Sequence, residues 1–263
     1  VGVQINTQKE IKLKILIVIA VLLGQLFFIS CTSTPWHRDQ ADVYLKKGIA
    51  LLEARQYLGA LKELLEADKY APHDPVINYN LGIAYLGRGL KDMAMERFQK
   101  AVSLKKDYSE AHNYIGTMYM DMAQWEKAIV YFDKALKNYL YSNPEHALYN
   151  SGWAYYNLQN YDMALSKYQK ALQQDRLSGL QPQIEKNIGL IYIKQSNLAQ
   201  AKENLEKSVT LNPSLYDAHF FLAETYLKTK DTAKAKKSFQ QVVNLAPQSS
   251  FGQKALEYLL SLR

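Results

Sequence analysis

The sequence contains few of the residues that build catalytic or metal sites. Cys31 is the only cysteine among 263 residues, so it has no disulfide partner within the chain. The five histidines are scattered, and none forms an i, i+4 pair or lies beside the cysteine. They are His37, His73, His112, His146 and His219. No glycine-rich phosphate loop is expected, because every glycine with a structural role is predicted to lie within a helix. We therefore expect no enzyme, no metal site and no cofactor.

Clusters of positive charge are also lacking. The formal net charge is +7, yet no run of five or more basic residues occurs. The densest stretch, from Lys228 to Lys237, is interrupted by Asp231 and by small residues. Binding along a phosphate backbone requires clustered cations, so we expect no nucleic-acid partner.

A mostly apolar run near the N-terminus follows three lysines. It spans residues 15–28 and is shorter than the roughly 20 residues that cross a bilayer. Ile29, Ser30 and Cys31 come next and resemble a bacterial lipoprotein lipobox, although Phe28 stands where an aliphatic residue is commoner. We predict a signal peptide over 1–30, lipidation of Cys31 and a tether over 31–40. The alternative is an uncleaved signal anchor with an unmodified cysteine. Both interpretations place the rest of the chain beyond the inner membrane.

From residue 41 onward, one pattern occurs six times. Each copy has a small residue in a first helix, an aromatic residue or Leu three positions later, and Ala nine positions after that. The small residues are separated by 34, 34, 36, 37 and 34 positions; they are Gly48, Gly82, Gly116, Gly152, Gly189 and Ala223. A glycine within a helix costs about 1 kcal/mol, so five at matching positions indicate a close crossing of two helices. The period is typical of tetratricopeptide (TPR) repeats.

We therefore predict an all-α fold, a right-handed α-solenoid of about six TPR helix pairs with a C-terminal capping helix. The TPR domain is predicted over 41–263. Its parts are repeats 41–74, 75–108, 109–142, 145–177, 182–215 and 216–249, and a capping helix over 250–263. Extra residues at Asn138–Pro144 and Asp175–Gln181 flank the fourth repeat. They represent either tolerated loop growth or a change in superhelical pitch that widens the groove.

In a TPR stack the first helices line the concave groove. The groove positions of repeats one and two are apolar: Leu45, Ile49, Leu52, Val76, Tyr79, Ile83 and Leu86. Those of repeats three and four include Asn113, Thr117, Tyr149, Trp153, Tyr156 and Asn157, and those of repeats five and six include Lys186, Leu190 and Phe220. An exposed apolar strip is typical of a partner site, and Trp153 with its two tyrosines would be an anchor. The alternatives are a register shifted by one residue and ordinary packing of the aromatic residues between helices.

Two stretches carry a more specific resemblance. One is His112-Asn113-Tyr114-Ile115-Gly116, continuing through residues 124–128; the other is Tyr139-Leu140-Tyr141, leading to residues 149–152. They resemble the PilF/PilW family of type IV pilus biogenesis lipoproteins (pilotins), with His112 in place of a family Asn and Ile115 additional before Gly116. The resemblance implies a lipoprotein that binds the secretin and helps it to reach the outer membrane and oligomerise. Thr32 after the cysteine favours the inner leaflet of the outer membrane, facing the periplasm.

Two other functions fit the same residues. One is a periplasm-facing TPR lipoprotein that serves as a scaffold for another envelope machine. The other is a peptide- or glycan-binding module built on Tyr149, Trp153 and Tyr156. A carboxylate clamp of the kind found in chaperone-binding TPR proteins is not expected, because Leu45 and Ile49 occupy the positions of its polar residues.

Overall fold

A computed structural model of the chain describes residues 35–174 and 179–262, and every regular element in these residues is an α-helix. The predicted signal peptide and Cys31 lie outside the described residues. The helices are α1 (Pro35–Glu53), α2 (Tyr57–Tyr70), α3 (Pro75–Gly87), α4 (Lys91–Leu104), α5 (Ser109–Asp121), α6 (Trp125–Ala135), α7 (Pro144–Asn157), α8 (Tyr161–Gln174), α9 (Gln181–Lys194), α10 (Leu198–Leu211), α11 (Tyr216–Lys228), α12 (Thr232–Leu245) and α13 (Ser250–Ser261).

The chain divides into two compact units, Val1–Leu90 and Lys91–Arg263. The described part of unit 1 consists of α1 to α3, and unit 2 contains α4 to α13. Within each unit, helices that are consecutive in sequence pack against each other. The first helices of successive repeats also contact one another, namely α1 with α3, α5 with α7, α7 with α9 and α9 with α11. The predicted all-α architecture of stacked helix pairs is confirmed.

Glycines at the helix crossings explain the repeated pattern. A Cβ atom on Gly116 would lie 2.5 Å from the Phe132 ring, and one on Gly152 would lie 2.7 Å from the Tyr168 ring. Both rings are completely buried. The same relation joins Gly48 to Leu64 and Gly189 to Leu205, at 2.6 and 2.7 Å. The missing side chain on the first helix therefore leaves the space that a large side chain of the second helix fills.

The turn inside each repeat contains one residue in the left-handed conformation. Repeat two has Gly89 there, with φ +76°. The other five repeats have non-glycine residues with φ between 54° and 64°: Arg55, Ala123, Gln159, Ser196 and Lys230. In the third repeat the Ala123 N–H donates to the Met120 carbonyl at 2.8 Å, and the Gln124 N–H donates to the Tyr119 carbonyl at 2.9 Å, which ends helix α5. The expectation that every structural glycine lies within a helix is wrong for Gly89.

The predicted tether over 31–40 is wrong in its described part, because α1 already begins at Pro35. The helix extends this far because α2 still lies beside it. The His37 ring meets the Tyr70 ring edge-on with centroids 5.9 Å apart, and Ala41 is buried. Residues 31–34 lie outside the described residues.

The C-terminal helix α13 caps the last repeat. Its Ala255 is buried, and its Tyr258 stacks on Phe239 with ring centroids 4.6 Å apart. Phe251 meets Phe220 of α11 edge-on at 5.0 Å. The predicted capping helix is therefore confirmed, and its apolar side covers the end of the core.

Candidate partner-binding surfaces

One face of unit 1 carries the seven apolar residues predicted to line the groove of the first two repeats. This apolar face consists of Leu45, Ile49 and Leu52 on α1 and Val76, Tyr79, Ile83 and Leu86 on α3. On each helix they are three or four residues apart and so lie on one side, and the two helices contact each other. Val76 is exposed and the other six are half-buried. The seven are therefore not core residues, and their role in binding stays a prediction.

The start of α3 is fixed by side-chain hydrogen bonds. The Asp74 carboxylate accepts from the N–H groups of Val76 and Ile77, at 2.7 and 3.0 Å. The buried Asn78 amide donates to the carbonyls of Pro72 and Asp74, at 3.1 and 2.8 Å. This cap satisfies the first N–H groups of α3 and fixes where the helix begins.

Unit 2 contains the predicted aromatic cluster, Tyr149, Trp153 and Tyr156 on α7. Trp153 and Tyr156 are stacked, with centroids 5.1 Å apart and planes 12° from parallel. Tyr149 and Tyr156 also pack against the core around Tyr168. Burial, with a smaller effect of Tyr161, raises the pKa of Tyr156, so its hydroxyl stays neutral. Two of the three rings thus contribute to ordinary packing, and the half-exposed Trp153 rests on a ring that the core holds in place.

The polar groove residues of unit 2 are largely engaged already. Asn113 accepts a long hydrogen bond of 3.5 Å from Asn150, which links α5 to α7. The Thr117 hydroxyl and the Asn157 amide each donate to a carbonyl of their own helix at 2.8 Å. The Thr117 hydroxyl therefore offers a partner its acceptor oxygen, whereas the Asn157 amide keeps its oxygen and a second N–H.

Two predicted groove positions of repeats five and six are closed. Leu190 and Phe220 are buried, so their predicted placement in the groove is wrong. Phe220 is covered because α13 packs its Phe251 against it. Lys186 forms an ion pair of 2.7 Å with Asp217, which joins α9 to α11 with both side chains mostly buried.

Two histidines fix the turns that precede their helices. His112 Nε2 lies 2.9 Å from the Lys106 carbonyl, and His219 Nε2 lies 3.0 Å from the Pro213 carbonyl. Asn78 binds the corresponding carbonyl of repeat two. Burial lowers the pKa of both histidines, so each is neutral at pH 7 and donates from Nε2, since a carbonyl can only accept. The sequence signal for this role was their position, four residues into a first helix.

A cavity of about 930 Å³ was missed by the sequence analysis. It lies in unit 2 between α4, α6 and the turn over 136–143. We call it the lysine cavity; its lining includes Lys106, Lys134, Lys137, Tyr131, Tyr139 and Leu140. The available signal was the extra length of this turn, which was interpreted only as loop growth or a change of pitch.

Neither a metal cluster nor a membrane span is found in residues 35–174 and 179–262. No three or more His, Cys, Asp or Glu side chains converge there as metal ligands. None of the helices in this part of the chain combines the length and apolarity needed to cross a bilayer. The predicted lipidation site, Cys31, falls outside these ranges.

Three family models described as tetratricopeptide repeat match the chain, over residues 45–111, 107–176 and 192–257. The chain belongs to the tetratricopeptide-repeat family. Together with the helix pairs of the structure, this confirms the predicted TPR fold. TPR stacks present extended surfaces to other proteins, so a protein-interaction role follows from the family.

The resemblance to PilF and PilW is also confirmed. Type IV pilus assembly protein PilF of Pseudomonas aeruginosa is 29% identical over 185 residues, which cover 70% of this TPR chain and 69% of PilF. A solved PilF structure matches with TM-score 0.74 and 17% identity, covering 84% of this chain and 99% of that one. PilW, a type IV pilus biogenesis factor, matches with TM-score 0.73 and 20% identity, covering 82% and 98%. At such identities the structural matches show the fold.

Proposed function

We propose that this TPR chain is a non-catalytic, membrane-anchored lipoprotein that assists the localisation and assembly of a type IV pilus secretin. Lipid chains on Cys31 would attach it to the inner leaflet of the outer membrane, with the repeats in the periplasm. The similarity to PilF supports the link to the pilus. The observation that carries the partner-binding role is the apolar face of unit 1, where one exposed and six half-buried apolar side chains lie on one side of two adjacent helices.

The chemistry of the apolar face defines the segment that it would bind. Burying a fully exposed Leu or Ile side chain contributes about 1.5–3 kcal/mol. Because most members are already half-buried, the seven together would contribute on the order of 5–10 kcal/mol before the costs of association. We expect an apolar helix or strand of the secretin to pack against Leu45, Ile49, Tyr79 and Ile83.

Charge substitutions on α1 and α3 test this site. Ile49→Asp and Ile83→Asp should abolish secretin multimers in outer-membrane fractions, because a carboxylate would be buried under the partner. Val43→Asp is the matched control, since Val43 is 47% exposed and lies two residues, or about 200°, around α1 from Leu45. Circular dichroism of each variant separates lost binding from lost folding. If deletion of the gene leaves the secretin multimers unchanged, the secretin assignment is wrong. If deletion abolishes the multimers but the two Asp variants retain them, the binding site lies outside the apolar face.

The anchor has its own test. If Cys31 carries two or more acyl chains, the attachment is stable, and Cys31→Ser should release the chain into the soluble periplasmic fraction. A Ser33→Ala variant serves as the control for a change near the cysteine. Continued membrane attachment of Cys31→Ser would instead indicate an uncleaved signal anchor.

The aromatic cluster favours a second candidate, a peptide- or glycan-binding module. The stacked pair of Trp153 and Tyr156 offers a preorganised flat ring. Trp153→Ala would remove this ring while leaving the two tyrosines that pack on the core. Loss of ligand binding with normal secretin multimers would favour the module, and normal binding would reject it.

A further inference from the structure

The lysine cavity is separate from both surfaces considered above. Its lining shares no residue with the apolar face or the aromatic cluster. Ligand pockets typically enclose roughly 300–1,000 Å³, and the volume of about 930 Å³ lies in the upper part of that range. The cavity is therefore large enough for several side chains of a bound peptide.

The turn at its edge presents two apolar side chains to solvent. Tyr139 is 101% exposed and Leu140 is 89% exposed. The Asn138 side chain holds the start of the turn: its amide donates to the Asp107 carbonyl at 3.2 Å, and its oxygen accepts from the Leu140 N–H at 2.9 Å. Tyr141, the next residue, is buried in the core of its repeat. An anchored turn that keeps two apolar side chains in water is typical of an interaction site.

The charge of the lining selects the partner. Three lysines, Lys106, Lys134 and Lys137, line the cavity against a single carboxylate, Asp107, which gives a formal charge of three minus one, or +2, among the described lining residues. The Lys134 ammonium lies 4.4 Å from the centroid of the Tyr131 ring, which orients it along the wall. No carboxylate forms an ion pair with these lysines in the described part of the chain. An anionic partner would supply the missing counter-charges.

We propose that the lysine cavity binds an acidic peptide segment of a partner protein. Its carboxylates pair with Lys106, Lys134 and Lys137, and one of its apolar side chains packs against Tyr139 and Leu140. This site does not rest on the proposed function, because its lining shares no residue with the apolar face.

The size and lining of the cavity favour a peptide over a nucleic acid. A nucleic-acid backbone needs a longer track of cations than three lysines. A peptide can place an apolar side chain against Tyr139 and Leu140 and carboxylates near the three separate lysines.

Fluorescence anisotropy with the full chain tests the proposal. The probes are fluorescein-labelled hexapeptides in which Glu and Asp flank one Phe, Tyr or Leu, beside matched peptides with Lys in place of the acids. The charge-reversal variant is Lys106→Glu/Lys134→Glu/Lys137→Glu, and the apolar variant is Tyr139→Ser/Leu140→Ser. The control replaces three exposed lysines of unit 2 outside the cavity, Lys170→Glu/Lys236→Glu/Lys237→Glu, and has the same net charge.

The acidic peptides should bind the wild-type chain and the control alike, and more weakly as salt is raised. Charge reversal should weaken binding by at least about a hundredfold, and the apolar variant by about tenfold. No binding of any acidic peptide, equal binding of the lysine peptides, or equal loss in the control would overturn the proposal. Vesicles of phosphatidylglycerol are the last probe. If they bind the chain through the same residues while the peptides do not, the cavity faces a membrane and the proposal is wrong.

Discussion

The left-handed conformation of one residue in each repeat turn can be tested by its effect on stability. Replacing Ala123 by Gly should stabilise unit 2. Ala123 has φ +54° and is exposed, so its methyl group makes no buried contact that the change would remove. A residue with a Cβ in this conformation loses about 1–2 kcal/mol, and glycine loses about 0.5–1 kcal/mol more chain entropy on folding. The net gain is about 0.5–1 kcal/mol.

Gly89 provides the reverse experiment. Its φ is +76°, and an added Cβ would meet no atom within 4 Å, so Gly89→Ala changes only the conformational preference. We expect a loss of about 0.5–1 kcal/mol. Ala50→Gly is the matched control for Ala123→Gly, because Ala50 is also exposed but lies within helix α1. There the change from Ala to Gly should lower the free energy of unfolding by about 1 kcal/mol.

Urea denaturation followed by circular dichroism at 222 nm measures all three variants. The midpoint should rise for Ala123→Gly and fall for the other two, with an unchanged slope. In thermal unfolding, 1 kcal/mol corresponds to about 2–4 °C for a domain of this size. If Ala123→Gly destabilises the chain as much as Ala50→Gly does, the turn is not left-handed and the reasoning fails.

Two further predictions concern the core of unit 2. Gly116→Ala should lower the free energy of unfolding by about 1–2 kcal/mol, because its Cβ would press on the buried Phe132 ring. Adding Phe132→Leu should restore part of that loss. An unchanged urea midpoint for Gly116→Ala would contradict the crossing geometry. His112 has a folded pKa below the unfolded value, so the unfolded chain binds its proton more readily and stability should fall as pH drops through about 6.5. His112→Gln, which keeps a donor for the Lys106 carbonyl, should show a smaller difference in Tm between pH 7.5 and 5.5, and an equal difference would contradict this origin.

The helix pairs could be predicted from sequence because their main constraint is steric and local. Gly116 and Phe132 are only 16 positions apart, and their pairing recurs with the repeat period. The left-handed turns could not be predicted in the same way. Only Gly89 gives a compositional signal, while Ala123 and Gln159 adopt the same conformation under the demands of the two helices that they join. The start of α1 was missed for a similar reason, since its first turns depend on contacts with α2.

The candidate surfaces could be predicted only where spacing along a single helix determines which side chains are exposed. The apolar face follows from spacing along α1 and α3. The burial of Leu190 and Phe220 depends on contacts between helices that are distant in sequence, and so does the ion pair of Lys186 with Asp217, 31 positions away. The lysine cavity likewise needs Lys106, in the turn after α4, and Lys134, on α6, to line the same space. No pattern of neighbouring residues in the sequence predicts such a placement.

The hydrogen bonds from His112 and His219 to the preceding turns also determine where this chain can be divided into exchangeable modules. Each of these hydrogen bonds reaches six residues back, to a carbonyl in the turn that follows the previous second helix. A graft that starts at Ser109, where helix α5 begins, would leave His112 without its acceptor. The natural unit of exchange, in evolution or in design, therefore starts no later than Lys106 and carries its own entrance turn with it.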